Sequence, residues 1–239
     1  MEIALIALLT IVAAFVGTLT GFGSSTIMLP VIVIFFPLPQ ALLFVGIIHW
    51  FNDIWKIILF KKAVNWKIIL GFGIPGIIAS YLGASIVLTA PEAILSRILG
   101  VFLISYVVFL ALKPAFKLAQ NLSTAVSGGV LSGFFAGVFG IGGAIRGAFL
   151  SAFDLPKTTY IFTSGAIALI IDTTRITTYI SSGTTFPRQL LLALLFSIPI
   201  SLVGAGLAKR TVGKIPQEKF RLVISIFLFL IGIKLLVFS

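Results

Sequence analysis

Apolar residues run along this chain in long stretches, separated by short clusters of proline, lysine and small polar residues. A run of about 20 such residues is long enough to cross a bilayer as a helix. The pattern predicts spans over 40–60, 68–88, 93–112, 158–181, 188–208 and 217–238. Two further runs, 3–37 and 122–153, are interrupted by glycines, the first at Gly21-Phe-Gly23 and the second at Gly140-Ile-Gly-Gly143. The first divides into arms of 3–20 and 24–37, and Pro30 lies in its second arm. Glycine weakens a helix and frees backbone groups. In a membrane such groups are tolerated only where protein or a watery cavity surrounds them. The two interruptions therefore point to a shared internal site.

The scheme repeats. Pro37-Leu-Pro39 and Asp154-Leu-Pro156-Lys157 are the matching turns after the broken runs. Pro75 is matched by Pro199, and Pro91 by Pro216, at a period of about 120 residues. Charge then sets topology. Lys61, Lys62, Lys67, Lys113, Lys117, Lys157, Lys209, Arg210, Lys214, Lys219 and Arg221 all lie on the cytoplasmic side if each broken run enters and leaves on the same face. Each such run is then a hairpin, either re-entrant or of two short helices. The expectation is an all-α polytopic membrane protein of two inverted repeats, each a glycine-broken helical hairpin plus three transmembrane helices. The first repeat covers 1–112, a cytoplasmic linker 113–121 and the second repeat 122–239, with both termini outside.

Composition agrees. The chain is 59% hydrophobic and 10% charged, with mean hydropathy +1.23, against about 25% charged in soluble domains. The net charge of +11 would suggest nucleic acid in a soluble protein, but these residues sit in short loops and read as topology signals. Met1-Glu-Ile-Ala-Leu-Ile lacks a basic leader and reads as a retained membrane segment. There is no cysteine and one histidine, so no thiolate site is available and no metal, cofactor or enzymatic cluster is expected.

Candidate chemistry lies at the breaks and on two spans. A short helix starting after a glycine break directs free N–H groups and a positive dipole end at the break, which suits an anion. The expected substrate-binding residues are Gly21, Gly23, Ser24, Ser25 and Thr26 in the first half, and Gly140, Gly142, Gly143, Ala144 and Arg146 in the second. The bland reading is close packing of small residues, for which Gly17…Gly21 and Gly133…Gly137 have the spacing. Arg146 favours the functional one, because an arginine inside an apolar run costs about 2.5–3.5 kcal/mol on insertion scales. Its alternative is an ion pair with Asp53 or Asp172. Asp53/Lys56 and Asp172/Arg175 repeat the same i,i+3 spacing, which puts each pair on one helix face. His49, Asn52, Asp53, Lys56, Asp172 and Arg175 are therefore candidates for coupling or gating, or for structural ion pairs. His49 could titrate near neutral pH, or serve only in packing, and Lys56 could snorkel to the interface. Trp66 reads as an interfacial anchor.

At these residues the chain resembles the sulfite exporter TauE/SafE family of membrane permeases. The match lies in Gly21-Phe-Gly-Ser-Ser…Pro30, its counterpart Gly140-Ile-Gly-Gly-Ala, the Pro-Gln-Ala and Pro-Lys-Thr starts of the following spans, and the overall size. The resemblance departs at Ser24 and Ser25, where a richer glycine run is usual, and in the absence of a second-half counterpart to Pro30. It implies transport of sulfite, an organosulfonate or a related small anion across the cytoplasmic membrane, with proton coupling. The expected mechanism is alternating access around a site at mid-membrane where the hairpins meet. Rival readings are a passive anion channel of the same architecture, a cation carrier, and an intramembrane enzyme. Expected partners are a small sulfur-containing or organic anion, membrane lipid, a coupling proton and a second copy in a homodimer, but no nucleic acid.

Overall fold

The computed structural model describes residues 3–61, 64–112 and 119–212, with scattered helical residues between 226 and 237. All described elements are helical: α1 (Ile3–Thr20), α2 (Ser25–Ile32), α3 (Leu38–Leu59), α4 (Trp66–Thr89), α5 (Glu92–Leu112), α6 (Leu122–Phe139), α7 (Gly142–Leu150), α8 (Lys157–Ser181) and α9 (Arg188–Thr211), with a short 3-10 turn over Ser151–Phe153. Helices α1, α3, α4, α6 and α9 are long and apolar enough to cross a membrane. Their outer faces carry bare aliphatic side chains such as Leu8, Ile78 and Leu195, each more than half exposed, as suits lipid-facing surface. The expected span 217–238, with Lys219 and Arg221, falls mostly outside the described residues, as do Lys62, Lys113, Lys117 and Lys214.

Both glycine breaks form where expected, but each hairpin is lopsided. Helices α1 and α6 have 18 residues each, whereas α2 has 8 and α7 has 9. At about 1.5 Å per residue the short arms rise only about 12–14 Å, less than half the hydrocarbon thickness. The arm expected over 24–37 stops as a helix at Ile32 and continues in turns. Gly21, Gly23 and Gly140 adopt left-handed backbone with φ of 74°, 83° and 63°, a conformation other residues resist. Gly140 closes α6 by donating its N–H to the Ala136 carbonyl at 2.9 Å, a standard use of a left-handed residue at a helix end. The Pro37–Pro39 turn is shorter than expected: α3 already begins at Leu38, with Pro39 in the first turn, where its missing N–H costs nothing.

The helix pairings exchange when the halves are exchanged. α1 packs on α9 as α6 packs on α4, and α3 packs on α9 as α8 packs on α4. α3 pairs with α8, and α2 with α7. Gly21/Gly140, Gly23/Gly142, Pro37/Pro156, Gly46/Gly165, Asp53/Asp172 and Lys56/Arg175 are separated by one constant offset. The small-residue spacing of the second half serves packing. Gly129, Gly133 and Gly137 lie against the backbone of Phe72, Gly76 and Ser80, so at these three positions α6 meets α4 backbone to backbone. The hydroxyl of Tyr179 donates to the Gly137 carbonyl and ties α8 to the same seam. A methyl on Gly133 would collide with the Gly76 carbonyl and come within 2.7 Å of its Cα. Backbone cannot yield cheaply, so Gly133→Ala is expected to cost about 1–3 kcal/mol. A lowered thermal midpoint in detergent checks this. Gly206→Ala is the control, because nothing lies within 4 Å of its added methyl.

Two tryptophans without a clear role in the sequence stitch α3 to its neighbours. Trp50 Nε1 donates to Thr173 Oγ1 at 2.8 Å, and Trp55 Nε1 to Ser201 Oγ at 3.0 Å. Trp66 opens α4 and is 64% exposed, as an interfacial anchor would be.

Candidate functional site

The two breaks meet. The space a methyl on Gly143 would need is already taken by the Phe22 carbonyl, and the one on Gly147 would meet the Phe22 ring and the Tyr160 hydroxyl. Arg146, on α7, is 1% exposed. Its Nε donates to Ser164 Oγ at 3.1 Å, and that hydroxyl donates to the Gly21 carbonyl at 3.1 Å. One arginine thus connects the second hairpin, through α8, to the first break. The alternative of an ion pair with Asp53 or Asp172 is not realised: Arg146 forms none with a described residue, and its Nη2 is buried without a hydrogen-bond partner.

The predicted backbone donors divide: the Gly23 N–H is not available to a ligand, because it donates to the Gly17 carbonyl at 3.2 Å. No described residue accepts from the N–H groups of Ser24, Ser25 and Thr26, or of Gly142, Gly143 and Ala144, as expected at helix starts. The Ser24 hydroxyl is buried without a partner. Thr26 departs from expectation, because its hydroxyl donates to the Phe22 carbonyl at 2.9 Å and so closes the break instead of facing a ligand. Ser25 is buried at the helix start.

The candidates on α3 and α8 converge as well. Lys56 Nζ donates to Asp53 Oδ1 at 2.7 Å, and Arg175 Nε to Asp172 Oδ1 at 2.7 Å. Lys56 is wholly buried, so it does not snorkel. The cations cross over: Lys56 packs where Gly165 of α8 leaves room, and Arg175 where Gly46 of α3 does. Arg175 Nη1 also reaches the Leu42 carbonyl at 3.5 Å and lies near Gly140. His49 stands between the pairs, with Nδ1 2.5 Å from Asp172 Oδ2 and 2.9 Å from Asp53 Oδ2. Its Nε2 has no partner and is the closest atom to the place a methyl on Gly23 would occupy. Asn52, next to Asp53, is fully buried with neither amide atom bonded.

His49, Asp53 and Asp172 bring their ligand atoms within 4.8 Å of one another, a convergence the sequence reading did not foresee. Each carboxylate already holds a cationic side chain at 2.7 Å, so the charge a metal ion would need is spent. Three cations, Lys56, Arg146 and Arg175, face two carboxylates among the described buried residues. The balance is positive, which suits an anion.

The sequence reading missed Thr18, Thr163 and Ser164, whose hydroxyls are buried here. Thr18 Oγ1 and Thr163 Oγ1 have no partner. The available signal was Thr163-Ser-Gly165, a polar and small step inside an apolar run.

A multi-pass, all-helical membrane protein built around two broken hairpins and a buried charged cluster is the class that fold and site define. The family model described as Sulfite exporter TauE/SafE matches residues 6–235. The chain belongs to that family, and so to a family of membrane permeases for sulfite and related anions. No curated protein matches it.

Proposed function

We propose that this protein is a secondary transporter that moves sulfite, an organosulfonate or a related small anion across the cytoplasmic membrane, coupled to protons, by alternating access. The single observation that carries this reading is Arg146, a buried guanidinium that forms no ion pair with a described residue, on the helix whose start, with that of α2, presents N–H groups that no described residue accepts from. An uncompensated charge in an apolar interior is expensive. A bound anion removes that cost, and the amides of Ser24–Thr26 and Gly142–Ala144, with the Ser24 hydroxyl, can complete its shell.

The exchange of helix pairings between halves supports two repeats, 1–112 and 122–239, joined by the linker 113–121. Inversion of one repeat relative to the other follows from the charge pattern, with the lysine-rich loops cytoplasmic. Rocking of the two hairpins about their junction then opens the site to either side in turn.

The test is flux in proteoliposomes. Sulfite accumulation against its gradient, driven by an imposed pH difference, is the expected result. Flux that only dissipates the sulfite gradient identifies a passive channel, and no flux of sulfite or sulfonates refutes the assignment.

A further inference from the structure

We propose that His49 carries the coupling proton, and that its Nε2 becomes a partner of the anion at the first break only when the ring is protonated. This rests on the anion site proposed above and adds to it the location and number of the protons.

Asp172 Oδ2 and Asp53 Oδ2 both converge on Nδ1 of the imidazole, at 2.5 and 2.9 Å. Carboxylate oxygens only accept, so Nδ1 must hold its hydrogen whatever the state of the ring. One hydrogen cannot serve both oxygens. It goes to Asp172, and Asp53 Oδ2 is left without a hydrogen bond. In the neutral ring the lone pair is therefore on Nε2. That atom is buried, has no partner, and sits against Gly23 at the break that precedes α2. A lone pair aimed at the break repels an anion. A proton passed from hydronium to Nε2, which leaves water behind, turns the same atom into a charged donor and leaves the Nδ1–H bond to Asp172 in place.

The remaining charges near His49 are two ion pairs and Arg146. On α3 they are Asp53 and Lys56, and on α8 Asp172 and Arg175. Arg146 faces the cluster from α7. Helix α1 and the break itself carry no ionisable side chain, and α9 carries only Arg188, Lys209 and Arg210 near its ends. His49 is thus the group whose titration changes the charge at the break. At the repeat-related place in α8 stands Ala168, so one proton accompanies each anion. Binding of the two is reciprocal: each raises affinity for the other by the same factor.

The experiment is calorimetric titration of the purified full chain in detergent with sulfite and with methanesulfonate, which stays a monoanion, between pH 6 and 8.5. A pH-indicator dye follows proton uptake in weak buffer. The expected result is affinity that falls by about tenfold per pH unit once the ring is neutral in the free protein, with uptake approaching one proton per methanesulfonate. In His49→Gln binding is weak at every pH and proton uptake is absent. If the wild type binds either anion with no pH dependence and no proton uptake, the proposal is overturned while the anion site stands. If His49→Gln keeps the wild-type pH profile, it is also overturned. If neither anion binds the wild type, the anion site itself fails. Should His49→Gln not fold, the wild-type proton count decides alone.

Discussion

Arg146→Ala is expected to abolish anion flux while leaving the protein folded. The two effects separate because of how Arg146 is held. Its one hydrogen bond among the described residues, to Ser164, is worth little next to the cost of a buried guanidinium that forms no ion pair with any of them. Alanine removes that cost together with the bond, so thermal stability in detergent should stay close to wild type. The anion, by contrast, loses a charged donor worth about 1.5–3 kcal/mol per bond, or about 10–150-fold in affinity. Arg146→Lys keeps the charge but not the planar fork that serves Ser164 and an oxyanion together, and should retain weak binding. Unchanged sulfite flux by Arg146→Ala would remove this residue from the site.

Asp172→Asn should give the largest loss of stability. Asp172 neutralises Arg175, which is 1% exposed and cannot reach water, and it also takes the Nδ1 hydrogen of His49. Removing one partner of a buried pair typically costs about 3–5 kcal/mol, because the other charge is stranded. The double variant Asp172→Asn/Arg175→Gln removes both charges and should recover most of the loss, since a buried pair is worth little against a neutral replacement. Thermal melts of the two single variants and the double, read as a cycle, check this. If Asp172→Asn melts like wild type, Asp172 does not carry the stability assigned to it as the partner of Arg175 and His49.

Much of the fold was legible because bilayer-length apolar runs and glycine breaks are local signals. The limits of α1, α5 and α8 fall within a residue or two of the expected spans, and both breaks lie at the expected glycines. The lopsided arms were not legible. Nothing in 24–37 announces that the helix ends at Ile32, since the residues beyond it are as apolar as those before. Within the candidate site, the i,i+3 pairs were readable because they lie on one helix. The place of His49 was not, because its carboxylate partners come from both halves of the chain. Nor was the use of the Thr26 hydroxyl, which depends on the path of the backbone through the break.

The sequence by itself determined that this is a helical membrane protein of a sulfite-permease family, with two glycine breaks, one intramembrane arginine and two acid–base pairs. Those follow from composition, run length and short spacings, which need no knowledge of distant neighbours. Only the tertiary structure decided that the breaks touch, that Arg146 reaches Gly21 through Ser164 without an ion pair among the described residues, and that His49 stands between Asp53 and Asp172. The reason is physical: the contacts of Ser164 with Gly21, of His49 with Asp172 and of Phe22 with Gly143 join segments more than a hundred residues apart, and α3 must first pack on α8, and α2 on α7, before they can form.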